Sequence, residues 1–344
     1  MPSSFVSFKS AQRGGFLSAL MLCAALACAL AATAYWWSNQ PLALPEGASS
    51  VDLRIEPKSP TRAIANAVVA SGVDVNEGLL FAYLRFSGHA KSLKAGSYEI
   101  ALGSTPKSLA EKLARGDEAL VSVTIVEGWT FRQIRQMLEK TQHITPSTKA
   151  LSEQELMIRL GKPGLPAEGR FFPDTYSVAK GSNDIEVLKR ALRAMDKQLQ
   201  AAWQARSTSS ALHSPEEALT LASIVEKETG KASDRSTIAG VFNNRLRIGM
   251  RLQTDPTVIY GMGQSFDGNI RKRDLQTDTP WNTYTRSGLP PTPIAMPGKA
   301  ALLAAVQPEN TNALYFVARG DGSSQFSASL EEHNRAVNKY IRGQ

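Results

Sequence analysis

The apolar positions of this chain change their period several times, and each change predicts a different element. Residues Phe16 to Trp37 form an apolar run without a single charge. As a helix rising about 1.5 Å per residue, the run reaches roughly 30 Å, the hydrocarbon thickness of a membrane. It gives way to SNQPLALPEGASS (38–50), whose Pro, Gly and Ser read as a linker. Val51–Ile55 alternates as a strand, Ser59–Ala70 repeats as a helix capped by Ser59 or Thr61, and Asn76–Phe86 is a second helix. Lys94–Leu102 alternates again, Lys107–Arg115 is helical up to Gly116, and Ala119–Val126 and Thr130–Thr141 follow as strand and helix. A polar stretch from His143 to Leu151 breaks the rhythm.

Beyond Glu168 the pattern predicts helices at Ile185–Arg206, Ser214–Thr229 and Ser236–Ile248. Loops rich in Pro, Gly, Asn and Thr run to Pro297, and a helix, strand and helix close the chain at Lys299–Val306, Leu314–Ala318 and Ser329–Tyr340. The class is α+β. The expected order is an N-terminal segment (1–15), a transmembrane helix (16–37), a linker (38–50), a small module (51–140) and a mixed α+β domain (141–344).

Charge refines the first helix. Lys9 and Arg13 precede the apolar run, while Glu46 and Asp52 are the first charges after it. Positive flanks stay cytoplasmic, which puts 1–15 inside and the C-terminal part outside, and Tyr35, Trp36 and Trp37 suit an interfacial aromatic belt. A cleaved signal peptide, with Ala-Thr-Ala (32–34) as its site, is the rival. Its apolar core is usually ~7–15 residues, shorter than this run.

The net charge of +8 comes from Lys and Arg spread along the chain, with no long basic run, so no nucleic-acid partner is expected. Both cysteines, Cys23 and Cys28, lie inside the apolar run, and the four histidines stand far apart. No Cys/His ligand spacing exists, and no metal or cofactor is expected.

The segment HSPEEALTLASIVEKETG (213–230) carries the chemistry. Ser214, Pro215 and Glu217 open a helix as N-cap, first-turn proline and capping-box acid, which accounts for Glu217 and its neighbour Glu216. The body is apolar or small nearly all round, so the helix belongs inside a domain. Glu226 and Glu228 then sit in its last turn, where the helix dipole disfavours negative charge. Burial and that dipole both raise a carboxyl pKa, and an acid that stays protonated near neutral pH can donate to a leaving oxygen. Residues two apart do not face each other, so one glutamate should face a given cleft. Small Ala222 and Ser223 beside Glu226 favour it, with Glu228 as the alternative.

Further blocks surround this helix: EGRFFPDTY (168–176), VFNNRL (241–246), LQTDPTVIY (252–260), NTY (282–284) and GLPPTPI (288–294). With ASIVEKET (222–229) they make the chain resemble the endolytic murein transglycosylases of the MltG, or YceG-like, type. Arg170 departs from the pattern, in which an aromatic is expected.

The resemblance implies a single-pass inner-membrane protein with a LysM-like module ahead of a periplasmic catalytic domain. Its substrate would be peptidoglycan glycan strands, its partners peptidoglycan synthases, and Glu226 the catalytic residue. That residue would protonate the bond between N-acetylmuramic acid and N-acetylglucosamine, then take the proton of the muramyl 6-hydroxyl to leave a 1,6-anhydro end and terminate strand growth. Glu168, Gln253, Asp255, Asn282 and Tyr284 are candidate substrate contacts in predicted loops. A lysozyme-like hydrolase using Asp255 or Glu168 as second carboxylate, or a non-catalytic peptidoglycan-binding anchor, are the alternatives.

Overall fold

The structure is a computed structural model that describes residues 11–343, with side chains from Ser18 onward. Lys9 and the side chains of Arg13 and Phe16 lie outside the described residues. The chain forms two compact units, Met1–Leu120 and Val121–Gln344.

The first unit begins with α1 (Ala11–Ser38), whose Ser18–Ser38 stretch is long and apolar enough to cross a membrane and is exposed from Ser18 to Trp36. The stretch expected as a linker does not hang free. Leu42 is buried and its N–H donates to Ser104 O at 2.7 Å, while Ala43 bridges to Asp74. The apolar residues Leu42 and Leu44 pack on the unit's core, which overrides the turn-forming composition around them.

That core is built by β1 (Ser50–Ile55), α2 (Thr61–Ala70), α3 (Glu77–Phe86), β2 (Gly96–Ala101) and α4 (Pro106–Arg115). The two strands pair antiparallel from Ser50↔Ala101 to Ile55↔Gly96. Asn76 caps α3 and Thr105 caps α4 with a full capping box, and Gly116 ends α4 in the left-handed region at φ 76°.

The second unit holds β3 (Leu120–Thr124), α5 (Phe131–Lys140), α6 (Glu153–Arg159), β4 (Thr175–Ala179) and α7 (Asp184–Gln204) around one core. Helix α5 was expected with the preceding module. It instead contributes Phe131, Ile134 and Leu138 to the core that includes Leu156, Phe171, Val187 and Leu192. Its partners are distant in sequence, so local rhythm alone assigns it to the wrong neighbour.

A second core gathers α7, α8 (Pro215–Glu228), α9 (Ala232–Arg247) and α12 (Lys299–Val306). Between α9 and α12 the expected loops hold two helices, α10 (Asp255–Met262) and α11 (Lys272–Gln276). Asp255-Pro256, which reads as a turn opener, is the first turn of α10, where proline lacks nothing a helix needs. The chain closes with the antiparallel hairpin β5 (Tyr315–Ala318) and β6 (Ser324–Ser327), then α13 (Leu330–Val337).

Candidate active site

Helix α8 is buried from Ala218 to Val225. Ser214 Oγ accepts from Glu217 N at 3.2 Å, and the Glu217 carboxylate accepts from His213 N at 2.6 Å, one residue before the cap. Glu216 reaches Arg170 at 3.8 Å, and Arg170 is itself buried. Arg170 thus fills its aromatic-expected place as part of an ion pair beside the first turn of α8.

The small residues of α8 serve packing. Ser223 Oγ donates to Thr220 O at 2.7 Å and accepts from Ile294 N at 3.0 Å, so the loop 288–298 lies directly on that face. Ala222, Ala301, Leu302 and Ala305 share one core there. The space beside Ala222 and Ser223, expected to admit substrate, is filled by the protein itself.

Glu226 is half-buried, and its Oε2 accepts from Gly298 N at 2.9 Å. Burial raises its pKa and nearby Glu127 adds to the shift, while the Gly298 bond, Arg235 and Lys227 oppose it.

Glu228, the last residue of α8, opens on a cleft of about 430 Å³. Gln253, Asp255 and Tyr284 line the same cleft, with Arg245, Thr254, Tyr315 and His333. The Glu228 carboxylate accepts from the Thr254 hydroxyl. Burial pushes its pKa up and Asp255 adds to the shift, against the Thr254 bond and Arg245.

The wall facing it is stitched by short bonds. Gln253 N donates to Thr283 O at 3.2 Å, Thr254 N to Thr283 Oγ1 at 3.1 Å, and Tyr284 OH to Asp255 Oδ1 at 2.6 Å. Gln253 has φ 48°, in the left-handed region that a glutamine occupies at a cost of order 1–3 kcal/mol. Such strain persists where the surrounding structure imposes it.

Asn282 is buried and does not reach the cleft. Its amide donates to Leu275 O and Thr277 O at 3.1 and 2.7 Å, and its carbonyl accepts from Tyr284 N at 2.8 Å. It positions Tyr284. Asn243 and Asn244 likewise brace α9, bonding Ala211 N, Ala305 O, Thr311 O and Ala313 O.

Glu168 stands apart from this group, on a larger cleft of about 730 Å³ that includes Lys227, Tyr260 and Trp281. Its buried carboxylate accepts from Phe131 N, at the first turn of α5, at 3.0 and 3.2 Å, and from Tyr260 OH at 3.1 Å. Burial lifts its pKa to about 7 against those bonds.

Two lining residues, Arg245 and His333, were not singled out by the sequence. Arg245 sits in VFNNRL, and its guanidinium donates to Leu314 O at 2.7 Å and Leu252 O at 2.6 Å. It lies 5.4 Å over the Tyr315 ring, which stacks on His333 at 5.2 Å. His333 Nδ1 is buried without a hydrogen-bond partner, and burial and Arg245 keep the imidazole pKa low. Nothing in the spacing of four scattered histidines points to it.

Carboxyls of raised pKa at the end of a buried helix, beside a polar and aromatic cleft, make this α+β protein one with a candidate acid–base site. Residues 53–339 match the YceG-like family, and the chain belongs to it. It is 31% identical over 310 residues to the endolytic murein transglycosylase of Bacillus subtilis (strain 168), covering 85% of each protein. An endolytic murein transglycosylase of Streptococcus pneumoniae (strain D39) is 29% identical over 300 residues, which span 78% of this chain and 54% of that protein. The crystal structure of a YceG-like protein from Listeria monocytogenes aligns with TM-score 0.54 and 29% identity, over 83% of this chain and 99% of the other.

Proposed function

We propose that this chain is a membrane-anchored lytic transglycosylase that cleaves peptidoglycan glycan strands, with Glu228 as its acid. The observation that carries the assignment is the shared cleft of Glu228, Gln253, Asp255 and Tyr284. Sequence pattern favours Glu226, which accepts from Gly298 N and stays the alternative acid, while the shared cleft supports Glu228.

The protonated Glu228 gives its proton to the glycosidic oxygen between N-acetylmuramic acid and N-acetylglucosamine. The carboxylate left behind takes the proton of the muramyl 6-hydroxyl, whose oxygen closes on the anomeric carbon of the same sugar. The product is a 1,6-anhydro end, and no water is consumed. Asp255, held by Tyr284 OH, sits beside the acid and helps keep it protonated. Gln253 and Tyr284 contact the sugar, Asn282 sets the position of Tyr284, and Glu168 shapes the neighbouring cleft.

Helix α1 is retained as a single inner-membrane span with the second unit on the periplasmic side. The first unit serves as a LysM-like glycan-binding module, and the cut ends growing strands beside the synthases.

Mass spectrometry of glycan strands digested by wild type and by Glu228→Gln tests the reading. Anhydro ends from wild type, and none from the variant, are expected. Reducing ends would instead indicate attack by water with Asp255 as second carboxylate, which is the hydrolase reading.

A further inference from the structure

The first unit exposes large apolar side chains outside α1. Phe86 is 82% exposed, Leu102 70% and Leu79 54%. Leu79, Tyr83 and Phe86 are spaced four and three residues apart, on one face of α3. Scattered exposed leucines need no explanation, but an 82% exposed phenylalanine on an apolar stripe does.

The stripe is joined to the end of the apolar helix. Trp37 packs edge-on against Tyr83 with ring centroids 6.0 Å apart. Leu102 is tied to the same end, since its N–H donates to Ser49 O at 2.9 Å and Leu42 N donates to Ser104 O at 2.7 Å. The chain leaving α1 has no free joint, because Ser38 is buried and Leu42 enters the core four residues later.

A span of Ser18–Ser38 is about 30 Å long and puts its last turn at the edge of the hydrocarbon, where a headgroup layer of roughly 5–7 Å begins. One helical turn of α3, about 5 Å, separates Tyr83 from Phe86.

We propose that the Leu79–Tyr83–Phe86 stripe and Leu102 lie in the lipid headgroup layer, so that the first unit rests on the bilayer surface around its own anchor. The partner is the membrane into which α1 inserts. The proposal rests on the reading of α1 as a retained span. The far end of the β1–β2 pair, at Ile55↔Gly96, is five residues from Ser50↔Ala101, about 17 Å away at 3.3–3.4 Å per residue. Lys58, just past that far end, should stand clear of the lipid.

The test uses the full chain with Cys23→Ala and Cys28→Ala, reconstituted in vesicles of phosphatidylethanolamine and phosphatidylglycerol. Single cysteines at Phe86→Cys, Leu102→Cys and Lys58→Cys carry an environment-sensitive fluorophore, and lipids spin-labelled at the headgroup act as quenchers. Labels at 86 and 102 should be quenched several-fold more strongly than the label at 58. Equal, weak quenching at all three sites while the chain floats with the vesicles would overturn the surface contact and leave the anchor intact. A chain that does not float with the vesicles would overturn the anchor and the surface contact together.

Discussion

Exchanging each glutamate of α8 for glutamine separates the two candidates for the acid. In Glu228→Gln the isosteric amide fills the same end of the helix and can still accept from the Thr254 hydroxyl. It cannot donate an acidic proton or become a base. One positioned acid or base contributes about 10²–10⁴-fold, and here a single group would serve both steps. The fall in kcat should reach at least about 10³-fold, or ~4 kcal/mol of transition-state stabilisation. In Glu226→Gln the amide oxygen still accepts from Gly298 N, at a stability cost of about 1 kcal/mol for losing a charge-assisted bond. Its turnover should stay close to wild type. Release of anhydro-ended fragments from purified glycan, at matched folded fraction by thermal melting, reads both variants. Activity retained in Glu228→Gln and lost in Glu226→Gln would refute the geometric assignment and restore the sequence choice.

Burial raises the Glu228 pKa and the acid must start protonated, so kcat/KM should fall as pH rises through that raised value; a profile that only rises with pH up to 8 would contradict this. Glu168, with a folded pKa near 7 against 4.5 unperturbed, binds its proton more tightly in the folded chain. That contribution is full below pH 4.5 and is lost as pH rises through 7, on the order of 3 kcal/mol in all, so Tm should drop over this window and Glu168→Gln should flatten the drop. Arg245→Ala leaves Leu314 O and Leu252 O without their donor and should cost about 3 kcal/mol or more in denaturant unfolding. Gln253→Gly relieves the left-handed strain and should leave Tm unchanged or raised while glycan cleavage falls; a loss of Tm would show that no strain was stored there.

The sequence made the long helices legible because their apolar period is unbroken, and α7 and α8 lie within two residues of expectation. It hid α10, whose Asp, Pro, Thr and Gly content imitates a loop, and α11, which is only five residues long. It also hid β4 and β6, although β3 and β5, strands of the same lengths, were legible. The end of α8 was readable as chemistry because two carboxylates sit where the dipole disfavours them. Which one faces the cleft was not readable. The partners that distinguish the two sides of α8, Ile294 N on Ser223 and Gly298 N on Glu226, lie about seventy residues away in the chain. The polar look of Asn282 misled for a related reason, since its side chain bonds the end of α11, Thr277 O and Tyr284 N instead of facing the cleft.

The packing of α8 divides labour between parts of the chain. The helix that carries the acid is enclosed by α12 and the 288–298 loop, so a substitution along its body is felt as lost stability before it moves the carboxyl. The opposite wall, 252–255 with 282–284, is held by one backbone bond, Gln253 N to Thr283 O, and by the side chains of Thr283, Tyr284 and Asp255. Changes at Gln253 or Tyr284 leave the α8 core untouched, whereas changes at Thr254 or Asp255 act on the Glu228 carboxyl directly. Divergence among relatives should accumulate on that wall, and the α8 core should change only in concert with α12.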